Sequence, residues 1–306
     1  MMNRVLITGG TGFVGQYLTK CLISNGYRVS ILSRGIRENT KDVSYFLWDV
    51  ENKLIDKTCL QKVQTIIHLS GENVAESKWT KDRKDKILQS RVQSTELLYD
   101  LLSKESHNVK SFISASATGI YGSQTTRNIY QEKDALGTDF LAKVCTEWES
   151  AVFEMNSIGI RTVALRTGIV LAENHGVLAK MMLPFKLGLG SGIGSGKQYM
   201  PWIHIEDLCN MYLFTLENCD IFGAYNAVVG DDLNNEELSK ALAKVLKRPF
   251  FMPKVPQSIL KLIFGEMAVI LTKGSRVSSE KIKNEGFEFS FPEVNMALQN
   301  LLMPGA

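Results

Sequence analysis

Charge of one sign is what this chain most plainly lacks. Its 306 residues hold 35 Lys and Arg against 32 Asp and Glu, a formal charge of +3. So close a balance supplies no broad basic face for a phosphate backbone, and no nucleic-acid partner is expected. Cysteine is sparse as well. Cys21, Cys59, Cys145, Cys209 and Cys219 are scattered, and none falls in a CxxC pair. They read as reduced thiols that pack like small apolar side chains, and neither a disulfide frame nor a zinc site is expected. Long apolar runs are missing too. The most apolar late stretch, Ile259 to Leu271, is interrupted by Lys261 and Glu266, and it falls short of the ~20 residues a bilayer-spanning helix needs. The opening residues, MMNRVLITGG, pass directly into a strand pattern with no apolar signal segment. What is left is an ordinary globular composition, 44% hydrophobic and 22% charged. At ~100–200 residues per domain, the length suits one large domain or two lobes. The expectation is a cytoplasmic protein with a small-molecule substrate, no membrane contact, and a monomeric or homodimeric state.

Strand and helix signals alternate through the first half. Arg4–Thr8 is β-rich and is followed by a glycine cluster, after which Phe13, Val14, Tyr17, Leu18, Cys21 and Leu22 recur at helical spacing. Strand patterns return at Tyr27–Leu32, Tyr45–Leu47, Thr65–Leu69, Ser111–Ser114 and Arg161–Leu165, with helices expected at 81–103 and 140–155. Apolar periods of about 2 and 3.6 in turn predict a Rossmann-type α/β fold, a doubly wound parallel sheet with helices on both faces. After Thr167 the rhythm breaks. Residues 184–200 are glycine-rich, Glu206–Leu216 reads as a helix, Ala224–Val229 as a strand, and the tail from Asn234 as mainly helical. This divides the chain into a first domain over 1–170 and a smaller, mainly helical lobe over 171–306, with 202–230 partly returning to the sheet.

The strongest chemical signal is Thr8-Gly9-Gly10-Thr11-Gly12-Phe13-Val14-Gly15, placed between the first strand and the first helix. Glycines at 9, 12 and 15 permit the tight turn, let the backbone approach a pyrophosphate, and let helix and strand pack closely. The helix start then offers amide donors and partial positive charge to the phosphates, through Thr11, Gly12, Phe13 and Val14. Where an NAD binder carries an acid at the end of the second strand, this chain reads Ile31-Leu32-Ser33-Arg34, and no acid occurs before Glu38. A hydroxyl and a guanidinium suit a 2′-phosphate, so NADP(H) is the cofactor expected. Arg34 as a solvated loop cation is the competing interpretation.

Gly9-xx-Gly12-xx-Gly15, His68-Leu69-Ser70-Gly71, Ser116-Ala117-Thr118 with Tyr121-Gly122, and Trp202-Ile203-His204-Ile205-Glu206-Asp207 resemble the extended short-chain dehydrogenase/reductase superfamily. More narrowly, Gly71-Glu72-Asn73, Lys78-Trp79-Thr80, Ser90-Arg91, Leu165-Arg166-Thr167-Gly168 and the Pro184–Gly190 and Ile193–Gly196 segments resemble the bacterial "epimerase family protein" branch, relatives of NAD-dependent epimerase/dehydratases. The likeness runs over almost the whole chain. It implies that Leu69 and Ser70 lie against the adenosine and ribose, and that Gly168 and Ile169 face the nicotinamide ring. Asp49 stands where an acid commonly meets the adenine, or else forms a turn. Arg91 stands where many relatives brace the site with an Asn; as a cation it can reach a cofactor phosphate or ribose, or it is a helix-surface arginine.

Active members of the superfamily use a Ser or Thr after the fifth strand and a Tyr-xxx-Lys pair on the next helix. The Tyr passes a proton to or from the substrate hydroxyl, and the Lys lowers the Tyr pKa and holds the nicotinamide ribose. Ser116 fits the first role and Lys143 the last, which also makes Lys143 a cofactor contact. Four residues before Lys143, however, stands Asp139. Three alternatives stay open: Tyr121 supplies the phenol from another direction, Asp139 itself acts as acid/base, or the protein is a non-catalytic NADP-binding sensor or interaction protein. Asp139 as a helix cap is favoured over Asp139 as a catalyst. His204 is expected to orient the helix that follows it, and His68 to be a satisfied core histidine. No ligand set for a metal is visible. The Gly188–Met200 loop is expected to line or cover the cleft, and the Ile259–Leu271 helix to belong to the lobe core or a subunit contact.

Overall fold

The computed structural model describes residues 4–303. In its first half, β1 (Arg4–Thr8), α1 (Phe13–Ser24), β2 (Arg28–Ser33), β3 (Val43–Asp49), β4 (Leu54–Ile55), β5 (Val63–His68), α2 (Lys81–Lys104), β6 (Ser111–Ala117), β7 (Ile129–Tyr130), α3 (Phe140–Phe153) and β8 (Arg161–Thr167) follow in order. Then come β9 (Ile169–Leu171), α4 (Gly176–Lys186), β10 (Trp202–His204), α5 (Ile205–Glu217), β11 (Gly223–Ala227), α6 (Asn235–Val245), α7 (Gln257–Phe264), α8 (Val269–Thr272), β12 (Arg276–Val277), α9 (Glu280–Asn284) and α10 (Val294–Leu302). The main sheet runs β11-β8-β6-β5-β1-β2-β3-β4. All its pairs are parallel except β3 with the short edge strand β4.

Successive side chains of a strand point to opposite faces, and the central strands show it. Val5, Ile7, Val29 and Ile31 pack into one apolar cluster with Leu18 and Leu22 of α1 and Leu208 and Met211 of α5. Leu6, Leu32, Ile66 and Phe112 pack into a second with Leu97 and Leu98 of α2 and Trp148 and Val152 of α3. The strands are therefore apolar on both sides, as a sheet covered on both faces requires. Each fully buried Leu or Ile contributes about 1.5–3 kcal/mol by leaving water, so this double layer dominates the stability of the half that carries the glycine motif.

Beyond β8 the chain pairs β9 with β10 and β12 with β7, outside the main sheet, while β11 joins the main sheet beside β8. Helix α6 opens on a capping box in which Asn234 and Glu237 bond each other's backbone amides. Residues 187–201 form no helix or ladder, only single bridges from Ile193 to Val255 and from Tyr199 to Asn234. The apolar run expected as one helix breaks at Gly265, which adopts φ +62°. In α7 only Leu260 is buried; Ile259, Leu262 and Ile263 are exposed. Among the described residues no helix is long and apolar enough to cross a membrane, and no cluster of His, Cys, Asp and Glu is arranged to hold a metal.

Candidate functional site

The carboxyl ends of β1, β2, β5, β6 and β8 define one edge of the sheet, the edge at which open α/β sheets bind ligands. At β1 the chain turns through Gly9 with φ +68°, a region L side chains rarely enter. A Cβ there would lie 2.9 Å from the Leu69 carbonyl carbon, and one on Gly15 would lie 2.3 Å from the Gly9 oxygen. That oxygen accepts a hydrogen bond from the Gly12 amide at 2.9 Å. The motif is thus packed backbone on backbone. Gly12 brings no side-chain cap to α1, and the first turn carries no acid. The amides around Phe13 and Val14 therefore keep their partial positive charge for an anion. Thr11 is half-buried, and its carbonyl accepts from the Gln16 side chain at 2.9 Å. A dinucleotide pyrophosphate fits this cradle.

The end of β2 is held by Ser33. Its buried hydroxyl donates to the Gly35 carbonyl at 2.9 Å and accepts from the Gly35 amide at 3.3 Å, forming a tight turn. The turn leaves Arg34 exposed. Three residues on, the Arg37 guanidinium stands over the Tyr45 ring of β3, 5.9 Å from its centroid. Asp49, at the end of β3, accepts from the Asn52 amide at 3.1 Å and its side chain at 2.8 Å, and these bonds lower its pKa. It forms a turn.

Across the groove, the segment after β5 is fastened at many points. Thr8 Oγ1 meets His68 Nδ1 at 2.7 Å and accepts from the amides of Leu69 and Ser70 at 3.2 and 3.3 Å. His68 Nε2 lies 3.2 Å from the hydroxyls of Ser94 and Thr95. Burial, with the charge of Arg91 adding to it, pushes the His68 pKa down to about 3, so the ring is neutral. It is a satisfied core histidine, as its place on the strand predicts. Arg91 donates to the carbonyls of Ile87 at 2.8 Å and Glu72 at 3.0 Å, and its guanidinium lies 5.1 Å from the Trp148 ring centroid. Gly71 is close beneath it, for a Cβ there would stand 3.0 Å from Arg91 Cζ. The arginine faces inward and braces the loop that carries Leu69 and Ser70.

At the ends of β6 and β8 the polar groups are side chains, and they face one another. Ser116 donates to Glu149 Oε1 at 2.6 Å. Glu149 pairs with Arg166, whose Nε and Nη2 reach its two oxygens at 2.9 and 2.8 Å. Arg166 Nη1 donates to the Tyr121 hydroxyl at 3.0 Å and to the Glu132 carbonyl at 3.0 Å. Tyr121 in turn donates to Asn226 Oδ1 at 2.6 Å, and Asn226 donates to the Ser278 carbonyl. All five side chains are buried. Burial pushes the Tyr121 phenol up to about 12 despite the neighbouring guanidinium. Burial also works against the charge of Arg166, but its bonds to Glu149 outweigh that and raise its pKa.

Ser116 and Tyr121 therefore meet through Glu149 and Arg166, and Lys143 does not join them. Its side chain is 67% exposed and pairs with Glu147 at 3.6 Å. Asp139 caps α3, accepting from the amides of Ala142 at 3.0 Å and Ser123 at 2.5 Å. Gly168 is pressed against the chain at Pro201, where a Cβ would lie 2.3 Å from the carbonyl oxygen. Its amide donates to Ala227 and that of Ile169 to Pro201. His204 caps α5 by accepting from the Glu206 amide at 3.1 Å and stacks on Phe291 at 3.8 Å. Glu149, Asn226 and Arg37 were not singled out from the sequence. Arg37 had a signal, a second arginine three residues after Arg34; Glu149 and Asn226 had none, since their partners lie 17 and 105 residues away.

A family model described as "NAD dependent epimerase/dehydratase family" matches residues 5–229. The chain belongs to that family. A second model, "Domain of unknown function (DUF1731)", matches residues 255–301 of this epimerase-family chain. "Epimerase family protein YfhF" of Bacillus subtilis (strain 168) is 35% identical over 300 residues, 98% of each chain. The crystal structure of human epimerase family protein SDR39U1 (isoform 2) with NADPH superposes with a TM-score of 0.86 at 30% identity, covering 97% of this chain and 98% of that one. A nucleoside-diphosphate sugar epimerase from Corynebacterium glutamicum gives a TM-score of 0.79 at 27% identity, covering 99% of this chain and 58% of that one. Both the Rossmann-type α/β fold and the epimerase-family resemblance read from the motifs are what these comparisons find.

Proposed function

We propose that this epimerase-family chain binds NADP(H) and exchanges hydride with a small hydroxyl or carbonyl compound, a sugar nucleotide being one such class. The observation that carries the cofactor choice is the end of β2, where Ser33 turns the chain, Arg34 is exposed, and no acid precedes Glu38. A guanidinium there pairs with a 2′-phosphate, whereas an acid would repel it. Arg37, over Tyr45, is a second cation on the same rim. The similar human protein crystallised with NADPH supports the same choice.

When bound, the cofactor supplies a hydride acceptor or donor at its nicotinamide. The chain's own part is to bind and orient. Gly9, Thr11, Gly12, Phe13 and Val14 would hold the pyrophosphate, Ser33 and Arg34 the extra phosphate, and Leu69 and Ser70 the ribose face, with Arg91 fixing that loop. Gly168 and Ile169 would present their backbone to the nicotinamide. Of the three catalytic candidates, Lys143 is the exposed one, on α3 in a 3.6 Å surface pair with Glu147, so its charge can turn to a ribose or a substrate oxygen without opening the buried network. Ser116 and Tyr121 would act by first releasing Glu149 and Asn226.

A specific observation favours a second reading, a non-catalytic NADP(H) sensor. Asp139, at the position of the missing phenol, is occupied as a helix cap, and the Tyr121 hydroxyl is sealed between Arg166 and Asn226. The test follows NADPH absorbance and product stereochemistry over a panel of nucleotide sugars and small carbonyl compounds. Turnover that survives Tyr121→Phe removes Tyr121 from the mechanism. Tight NADPH binding with no turnover across the panel favours the sensor. Mass spectrometry of any dinucleotide released from the purified protein by acid identifies the cofactor independently.

A further inference from the structure

His204 holds a buried polar atom that no bond answers, and the residue lines a cleft. It is 1% exposed. Its Nδ1 accepts from the Glu206 amide at 3.1 Å, and burial pushes its pKa down to about 4, so the neutral ring carries its proton on Nε2. The ring cannot turn to find a better partner, because that bond and the 3.8 Å stack on Phe291 pin it. Nε2 nonetheless has no hydrogen-bond partner among the described residues. Asn300 of α10 stands close enough to favour the charged ring, but it completes no bond. Native interiors rarely leave such an N–H unpaired, so an acceptor is called for.

There is room for that acceptor to come from outside. His204 lines a cleft of about 270 Å³ between α1, the start of α5 and the end of α10. A single water needs only ~10–15 Å³, and sites for organic ligands begin near ~300 Å³, so a small organic molecule is the scale that fits. Tyr17 and Cys21 of α1, Glu206 of α5 and Asn300 stand on its walls, with Glu173 from the turn between β9 and α4. Neither the glycine turn at 9–15, nor Ser33 and Arg34, nor any member of the Arg166 network lines it. It is a site apart from the dinucleotide groove.

The walls select by charge. Glu173 and Glu206 are exposed carboxylates, and among the described residues no Lys or Arg lines the cleft. Burial raises the pKa of both thiols on its walls, Cys21 and Cys209, and the charge of Glu206 adds to that rise. The negative field thus reaches inward, where it repels an anion and draws a cation. The cation must also carry an oxygen, because an ammonium group donates only and cannot accept from Nε2–H.

We propose that the His204 cleft is a second ligand site, for a small organic cation that also bears hydroxyl or carbonyl oxygens, the chemistry of an amino sugar or amino alcohol. One oxygen of the ligand accepts from His204 Nε2–H, and its ammonium group pairs with Glu206, with Glu173 as the second carboxylate on the rim. The site stands independently of the cofactor and of any turnover, since none of its residues belongs to either set.

Imidazole 1H–15N NMR of the full chain reads this contact directly, with each of the four histidine rings assigned by single substitution. Wild type is titrated with glucosamine, glucose and glucuronate, similar in size and different in charge. Glucosamine should shift the His204 Nε2 proton saturably, glucose should bind about tenfold more weakly or worse, and glucuronate should leave the ring unmoved. Glu206→Gln keeps the side-chain shape without the charge and should weaken glucosamine binding about three- to tenfold, with NADPH affinity as in wild type. No saturable His204 shift with glucosamine overturns the proposal. So does binding of glucose or glucuronate as tight as that of glucosamine, or glucosamine binding unchanged in Glu206→Gln. The titrations with wild type contain no nucleotide, so a failure of the dinucleotide reading leaves their outcome untouched.

Discussion

At the carboxyl end of β1 the polar groups facing the cleft belong to the backbone, whereas at the carboxyl ends of β6 and β8 they belong to side chains that face one another. The first region is built from Gly9, Gly12 and Gly15, with a helix start that no side chain caps and no acid neutralises. Its donors await an anion. The second is a chain of Ser116, Glu149, Arg166, Tyr121 and Asn226 in which every hydroxyl and charge is answered within the protein. Low dielectric strengthens such a network and makes any broken member costly. The contrast teaches that two parts of one sheet edge can satisfy their polar groups differently: one leaves backbone donors open to an anion, while the other ties Ser116 and Tyr121 into a closed network of side chains.

The largest expected effect breaks the closed region. Arg166→Leu strands the Glu149 carboxylate in the interior and should cost about 3–5 kcal/mol of stability, measured by urea unfolding. Combining it with Glu149→Leu should recover part of that loss, because no lone charge then remains. A single-variant loss below about 1 kcal/mol would mean that water reaches the pair and that the region is open after all.

Next in size is a test of the open region. Gly15→Ala drives a methyl to within 2.3 Å of the Gly9 oxygen, and overpacking of this kind costs about 1–3 kcal/mol. The cradle must spread, so NADPH affinity should fall about tenfold or more, read by calorimetry. Gly35→Ala, where a Cβ meets nothing within 4 Å, should leave the melting temperature unchanged.

The pH response is smaller and also separates the regions. Burial holds His68 near a pKa of about 3 and His204 near about 4, both below the ordinary 6.5. The unfolded chain then binds more protons than the folded one below about pH 6.5. Stability is fully present above that pH and falls with acidification down to the folded-state values, by at most about 1.4 kcal/mol per pH unit for each ring. His68→Asn should flatten the acid limb of a pH–stability profile. Smallest of all is Lys143→Ala. Its exposed pair with Glu147 is worth about 0.5 kcal/mol or less, so a stability change beyond that contradicts the solvent-facing position, and a selective loss of NADPH affinity assigns Lys143 to the cofactor.

How legible each region was follows from the same contrast. The fingerprint at 8–15 is local: spacing, strand before, helix after. The strand at Arg4–Thr8 was equally visible, since a short β-rich run is a local property, but the division of Val5 and Ile7 from Leu6 between two apolar clusters comes from the helices that cover each face. Asp139 as a cap and His204 as a helix-orienting residue were readable for the same reason, because their partners lie two to three residues ahead on their own helices. The network around Arg166 was not. Its joints span 17 to 105 residues, and nothing in a local pattern says that the Ser116 hydroxyl turns toward α3 or that Tyr121 ends on Asn226. The inward turn of Arg91, onto two carbonyls and an indole, was hidden likewise.

The most direct test of the account is a calorimetric titration of ligand-stripped protein with NADPH and with NADH, in wild type and in Arg34→Ala. Charged hydrogen bonds of about 1.5–3 kcal/mol predict that wild type prefers NADPH by about tenfold or more and that Arg34→Ala loses most of that preference while NADH binding stays. Equal affinity of wild type for both dinucleotides, or heat from neither, would contradict it.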